Sequence, residues 1–176
     1  MVRRLAVEDD CPLTRPRDAE KRCMNLVPDW APNIHPLLVH FPIALLYAAI
    51  AVDLVGFAWW CNKPLRQAAT LLYALGAAGA IAAYLTGHAA SQSVWLPGMA
   101  EPVLKEHWDW AWRTVWFFPI VTIVRLVLLR PAKREPSTAL VAAFVLVGLM
   151  GIGLLLETGD RGGRLVYQHR VGTSRE

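Results

Sequence analysis

The chemistry in this sequence is concentrated in five histidines: His35, His40, His88, His107 and His169. Neutral imidazole is the commonest metal ligand, and two imidazoles from facing helices are the usual clamp for a b-type haem. His40 shares a helical face with Ala44 and Ala48, and His88 follows Tyr84 by four residues with small residues beyond it. A floor of small residues is what a flat macrocycle between helices needs. His35 and His40 are five residues apart, about 140° around a helix, so one ion is poorly placed to take both. Copper or zinc at an external site would need three or four converging ligands. Axial ligation of haem b makes the lighter demand, with His40, His88 and His107 as candidate ligands to the iron and His35 as a further cofactor-binding candidate. His169 is peripheral. Asp109 and Asp160 are placed to orient these rings, or to be solvated carboxylates. The alternative is histidine at a membrane interface, where an apolar body and a polar tip are both satisfied.

Catalysis by an internal nucleophile has no support. Ser91 and Ser93 read as loop residues, and no serine or cysteine stands beside a histidine in a recognisable arrangement. Cys11, Cys23 and Cys61 form neither CxxC nor CxxCH, which argues against a zinc ribbon and covalent haem attachment.

The elements that must position the histidines are membrane helices. The chain is 55% hydrophobic and only 18% charged, with a mean hydropathy of +0.34. Four stretches reach the roughly 20 apolar residues a span requires: Pro36–Trp60, Leu65–His88, His107–Leu129 and Ser137–Leu156. Short links predict antiparallel neighbours. The fold class is therefore all-α, an integral membrane four-helix bundle in up-down-up-down order. Odd helices then begin, and even helices end, on one face, which gathers all five histidines. Trp30, Trp95, Trp108, Trp110, Trp112 and Trp116 share that face, against Trp59 and Trp60 opposite. Pro42 and Pro119 fall inside helices one and three and are expected to kink them. Gly76, Gly79, Gly148, Gly151 and Gly153 mark close helix packing.

An offset of 72 relates the two halves. It pairs His35 with His107, Pro64 with Pro136, Gly76 with Gly148, Gly79 with Gly151, Thr86 with Thr158 and Gly87 with Gly159. Two helical hairpins related by a pseudo-two-fold repeat account for this. The same offset pairs Asp53 with Arg125, charges inside apolar runs, and predicts that they meet as a structural ion pair. His88 maps onto Asp160 and His40 onto Trp112, so one site is expected and not two.

Three parts follow: a polar N-terminal extension (1–33), the four-helix domain (34–158) and a glycine-rich interfacial segment (159–176) expected to fold back over the bundle mouth. The extension shows no signal peptide, and Met1 and Met24 are both possible starts. Lys63, Arg66, Arg130, Lys133 and Arg134 crowd the short connections, which predicts those in the cytoplasm and the termini and histidine face in the periplasm. The small net charge of +4 comes with no nucleic-acid motif.

Asn33-Ile34-His35-Pro36-Leu37-Leu38-Val39-His40-Phe41-Pro42-Ile43-Ala44 resembles the opening of a bacterial membrane family known as domain of unknown function 2231. Thr86-Gly87-His88, His107 and Thr158-Gly159 with Leu165-Val166-Tyr167 continue the resemblance over about residues 24–172. It implies a four-helix inner-membrane protein working beside redox proteins, with no established reaction. The expected function is membrane electron transfer through haem b, with a quinone and an external redox protein as partners. A non-catalytic anchor or assembly subunit of a larger complex is the alternative, and an external copper or zinc site is the third reading.

Overall fold

The computed structural model describes residues 33–59, 63–129 and 136–173. Pro36 stands in the first turn of α1 (His35–Leu38), where a missing N–H is harmless. Pro42 has no proton to give the Leu38 carbonyl, and the Ile43 N–H reaches Val39 at a stretched 3.5 Å. The helix is therefore interrupted at Val39 and resumes as α2 (His40–Ala58). Pro119 lies inside its helix without interrupting it.

The second span is α3 (Lys63–Ser93). A 3₁₀ turn (Gly98–Ala100) leads into α4 (Glu101–Leu128), and the last span is α5 (Thr138–Tyr167). Ser137 caps α5 by accepting from the Leu140 N–H at 3.3 Å. Four helical segments are long and apolar enough to cross a membrane. The described residues are otherwise turns and links, with no strand.

Glycines show how the helices run. A Cβ at Gly56 would meet Leu65, one at Gly76 would meet Leu46, at Gly79 Pro42 and at Gly87 His35. Contacts thus climb α3 as they descend α2 and α1. On the other side, Gly151 meets Phe117 and Phe118 while Gly162 meets His107. These pairs are antiparallel, and α3–α4 and α2–α5 contacts close the ring. Leu46, Ala49, Ile50, Tyr73, Ala77, Phe118, Val121 and Leu155 form the core.

One buried charge touches every span. Arg125 of α4 donates to Asp53 of α2 through both terminal nitrogens, at 2.6 and 2.9 Å, and through Nε to Thr70 of α3 at 3.3 Å. Its guanidinium lies 4.9 Å from the Tyr73 ring of α3 and 5.0 Å from the Phe144 ring of α5. Arg125 is 1% exposed. The planar fork suits this bidentate, stacked setting in a way a lysine does not.

Several expectations change. The second span runs on to Ser93, so Ser91 and Ser93 are helical and not loop residues, and the third begins at Glu101, well before His107. The fourth helix does not stop near Leu156 but continues through Gly159, Gly162 and Gly163 to Tyr167, so the glycine-rich segment is mostly helix. Tertiary contact overrides glycine's poor propensity here: Leu165 is buried and Gly162 admits the His107 ring. The chain reverses only past Gln168, where Arg170 and Gly172 take positive φ (54° and 76°). Gly153 also differs from its neighbours, since a Cβ there would meet nothing within 4 Å. Segment 1–32, Cys11, Cys23, Met24, Trp30, Trp60, Cys61, Arg130, Lys133 and Arg134 lie outside the described residues.

The packing can be tested at two places. Asp53→Asn or Arg125→Met should each cost about 3–5 kcal/mol of stability in detergent, by leaving a charge buried alone. Asp53→Leu combined with Arg125→Met should cost much less than the sum of the single changes; additive losses would deny the coupling. Gly148→Ala places a methyl 2.6 Å from the Tyr73 hydroxyl and Gly151→Ala one 2.9 Å from Phe118. Both should lower the unfolding temperature, whereas Gly153→Ala should hold or raise it.

Candidate functional site at the histidine end

α3, α4 and α5 are each 30 residues or nearly so, about 42–46 Å long, against a hydrocarbon thickness of about 30 Å. The excess lies at the histidine end. Beyond the level where Gly87 meets His35 and Gly162 meets His107, α3 continues to Ser93, α4 starts back at Glu101 and α5 runs on to Tyr167.

His35 and His107 point inward. Each is half-buried, and each ring rests on a glycine. A Cβ at Gly87 would lie 2.9 Å from His35 Cε1, and one at Gly162 3.2 Å from His107 Cε1. His35 Nδ1 is 3.3 Å from the Thr86 hydroxyl. The Thr86 hydroxyl donates to the Ala82 and Ala83 carbonyls, both at 3.0 Å. His107 Nδ1 donates to the Thr158 carbonyl at 3.0 Å, while the Thr158 hydroxyl is 2.8 Å from the Leu154 carbonyl and 2.9 Å from Thr114. The two arrangements use residues related by the offset of 72: 35 and 107, 86 and 158, 82 and 154.

His40 and His88 are placed differently. Both are exposed. His40 donates from Nδ1 to the Pro36 carbonyl of its own helix at 2.7 Å. Ala44 and Ala48, the expected floor beneath it, are exposed on the same outer face. His88 lies edge-on to Trp108, 5.4 Å between ring centres, with the Gln92 amide nitrogen 3.3 Å from its Nδ1. The inward pair is thus His35 with His107; of the three histidines expected to face inward, His40, His88 and His107, only His107 does. Their different fates follow from helix phase: His35 lies on the α1 side that meets Gly87, while His40, about 140° further round, is turned away.

Among the described residues no carboxylate is hydrogen-bonded to these rings. Asp160 lies 3.7 Å from Arg161, which also pairs with Glu157 and approaches Glu106 at 3.7 Å. Arg161 and Arg113 stand over the Trp110 ring at 5.3 and 4.7 Å, and Asp109 is exposed. Among the described residues no three of His, Cys, Asp or Glu converge as a metal site would require. Tyr84, Trp108, Trp112 and Trp116 form a chain of tilted and edge-to-face contacts beside His88.

Thr86 and Thr158 are the residues that reasoning from histidine alone overlooks. Their signal is the offset itself, which pairs them beside Gly87 and Gly159. A family model described as predicted membrane protein (DUF2231) matches residues 31–175. No curated protein and no solved structure matches the chain.

His40→Ala and His88→Ala should leave stability within about 0.5 kcal/mol of wild type, as exposed positions do. His107→Ala should cost about 1–3 kcal/mol, because it removes a half-buried ring seated on Gly162 together with its hydrogen bond to the Thr158 carbonyl. Thermal unfolding of the three variants in one detergent checks the ranking.

Proposed function

The chain belongs to the DUF2231 family of predicted membrane proteins, and we propose that it serves as a membrane electron-transfer protein or subunit holding a b-type haem between His35 and His107. The observation that carries this reading is the matched anchoring of the two rings. Each imidazole has its Nδ1 engaged by the neighbouring helix, at Thr86 or Thr158.

The donor set suits the group. Ligating histidines characteristically give their second nitrogen to a nearby acceptor, which fixes tautomer and orientation. Gly87 and Gly162 leave room for the rings to sit against the helix backbones. Two ligands are all the reading requires, in contrast to a copper or zinc centre. When bound, haem would supply one-electron transfer, and the chain's own residues hold the rings and keep water away. Phe118, Leu155 and Ala83 are buried below the pair, and Leu165 and Ala100 on the projecting helices.

The positive-inside argument supports a periplasmic mouth, facing an external redox protein, with a quinone as the partner inside the membrane. The outward His40 and His88, with exposed Trp112 and Trp116 at the same end of the bundle, favour a second reading in which this face docks a larger complex as an assembly subunit.

A reduced-minus-oxidised optical spectrum of the purified protein should show a haem α-band. His35→Ala or His107→Ala should abolish it, whereas His40→Ala and His88→Ala should keep it. Absence of the band from haem-supplemented wild-type protein would sink the proposal. Survival of the band without His35 would reassign the ligands.

A further inference from the structure

The two inward histidines reach the same arrangement by different means. Thr86 has one hydroxyl proton, and the Ala82 and Ala83 carbonyls, each 3.0 Å away, claim it. With the proton given to a carbonyl, its oxygen is an acceptor toward His35 Nδ1 at 3.3 Å, an arrangement that calls for the His35 proton on Nδ1. His107 Nδ1 faces a backbone carbonyl at 3.0 Å, which can only accept. There the Thr158 side chain is turned away, toward Leu154 and Thr114.

We infer that Thr86 is a positioning residue whose hydroxyl oxygen accepts the Nδ1 proton of His35 and so leaves the Nε2 lone pair free, a task performed for His107 by the Thr158 backbone. In water an imidazole prefers its proton on Nε2, the opposite tautomer. Both inward rings are thus turned into Nε2 donors before any electrophile arrives. His40 shares this state through the Pro36 carbonyl. His88 does not: the Gln92 amide donates to its Nδ1, which leaves the proton on Nε2. Three of these four histidines are therefore poised to ligate through Nε2, and two of those three face inward.

What the free lone pairs bind rests on the haem reading; the tautomers do not. The closing experiment separates the two. In the full-length protein in detergent, with no haem added and at about pH 8 where neutral rings predominate, ¹⁵N ring shifts report which nitrogen carries the proton. Wild type should show His35 and His107 protonated at Nδ1. Thr86→Val should deplete the protonated Nδ1 signal of His35 and raise that of Nε2, and Thr86→Ser should restore it. Thr158→Val should leave the His107 tautomer unchanged although the residue type and repeat position are the same.

Two results would overturn the inference. One is a wild-type His35 already protonated at Nε2. The other is an unchanged His35 tautomer in Thr86→Val, which would assign the hold to the Ala83 carbonyl, the other acceptor within reach of the ring. A correct tautomer pattern with no haem α-band would retain the positioning role and remove the haem. An α-band with the wrong pattern would do the reverse.

Discussion

Everything in this bundle is arranged around the Arg125 guanidinium. A cation with no water around it must find its partners within the protein, and Arg125 finds one on each of the other spans: Asp53 on α2, Thr70 and Tyr73 on α3, Phe144 on α5. Apolar helices in lipid have no hydrophobic reason to choose one register over another, since lipid tails are as apolar as leucine. A bidentate ion pair does impose a choice. Sliding α4 by one residue against α2 would shift the charges by about 1.5 Å and turn them by about 100°, which two hydrogen bonds of 2.6 and 2.9 Å do not survive.

That constraint reaches the far end of the molecule. Arg125 and Asp53 lie close to the Leu128 and Ala58 ends of their helices, and the histidines lie at the others. With α2 and α4 locked in register, His35 and His107 stand an equal number of residues from the lock: 18 in each case, 53 less 35 and 125 less 107. The pair is therefore brought to one level by helix geometry and needs no contact between α1 and α4 to set it. Small residues finish the placement. Gly76 against Leu46, Gly79 against Pro42 and Gly87 against His35 keep α3 close along the whole first span, and Gly151 and Gly162 do the same for α5.

Hydrophobic runs make the four helices legible, because a span needs little more than length and apolarity. The offset of 72 leads to the ion pair for a similar reason: two lone charges in apolar runs have few ways to be satisfied. Helix ends are harder. The run of glycines after Thr158 looks like a terminus to any propensity argument, and only the His107 ring seated on Gly162 and the burial of Leu165 explain why α5 continues. Which histidines face inward is harder still. His40 and His35 differ by 140° of helix phase, and nothing in residue type says which of them meets α3. The glycine opposite decides it, and in sequence Gly87 looks like a helix-end marker rather than the seat of a ring.

The charged contacts at the histidine end bear on how the site is held. Arg161 is 20% exposed at its side chain and approaches Glu106 of α4 while Glu157 and Asp160 flank it on its own helix, so α4 and α5 are joined at the level of His107 itself. The contacts of α1 are with α2 and α3, and α1 begins at His35 itself. Among the described residues, the α4–α5 side of this end is thus held by a charged contact and the α1 side by packing on α2 and α3. Both inward rings lie beside that join or against α3, each seated on a glycine of the neighbouring helix. For the proposed electron-transfer role this placement supplies one requirement, since half-buried rings pinned to glycine and to a hydrogen-bond partner are held in fixed orientation.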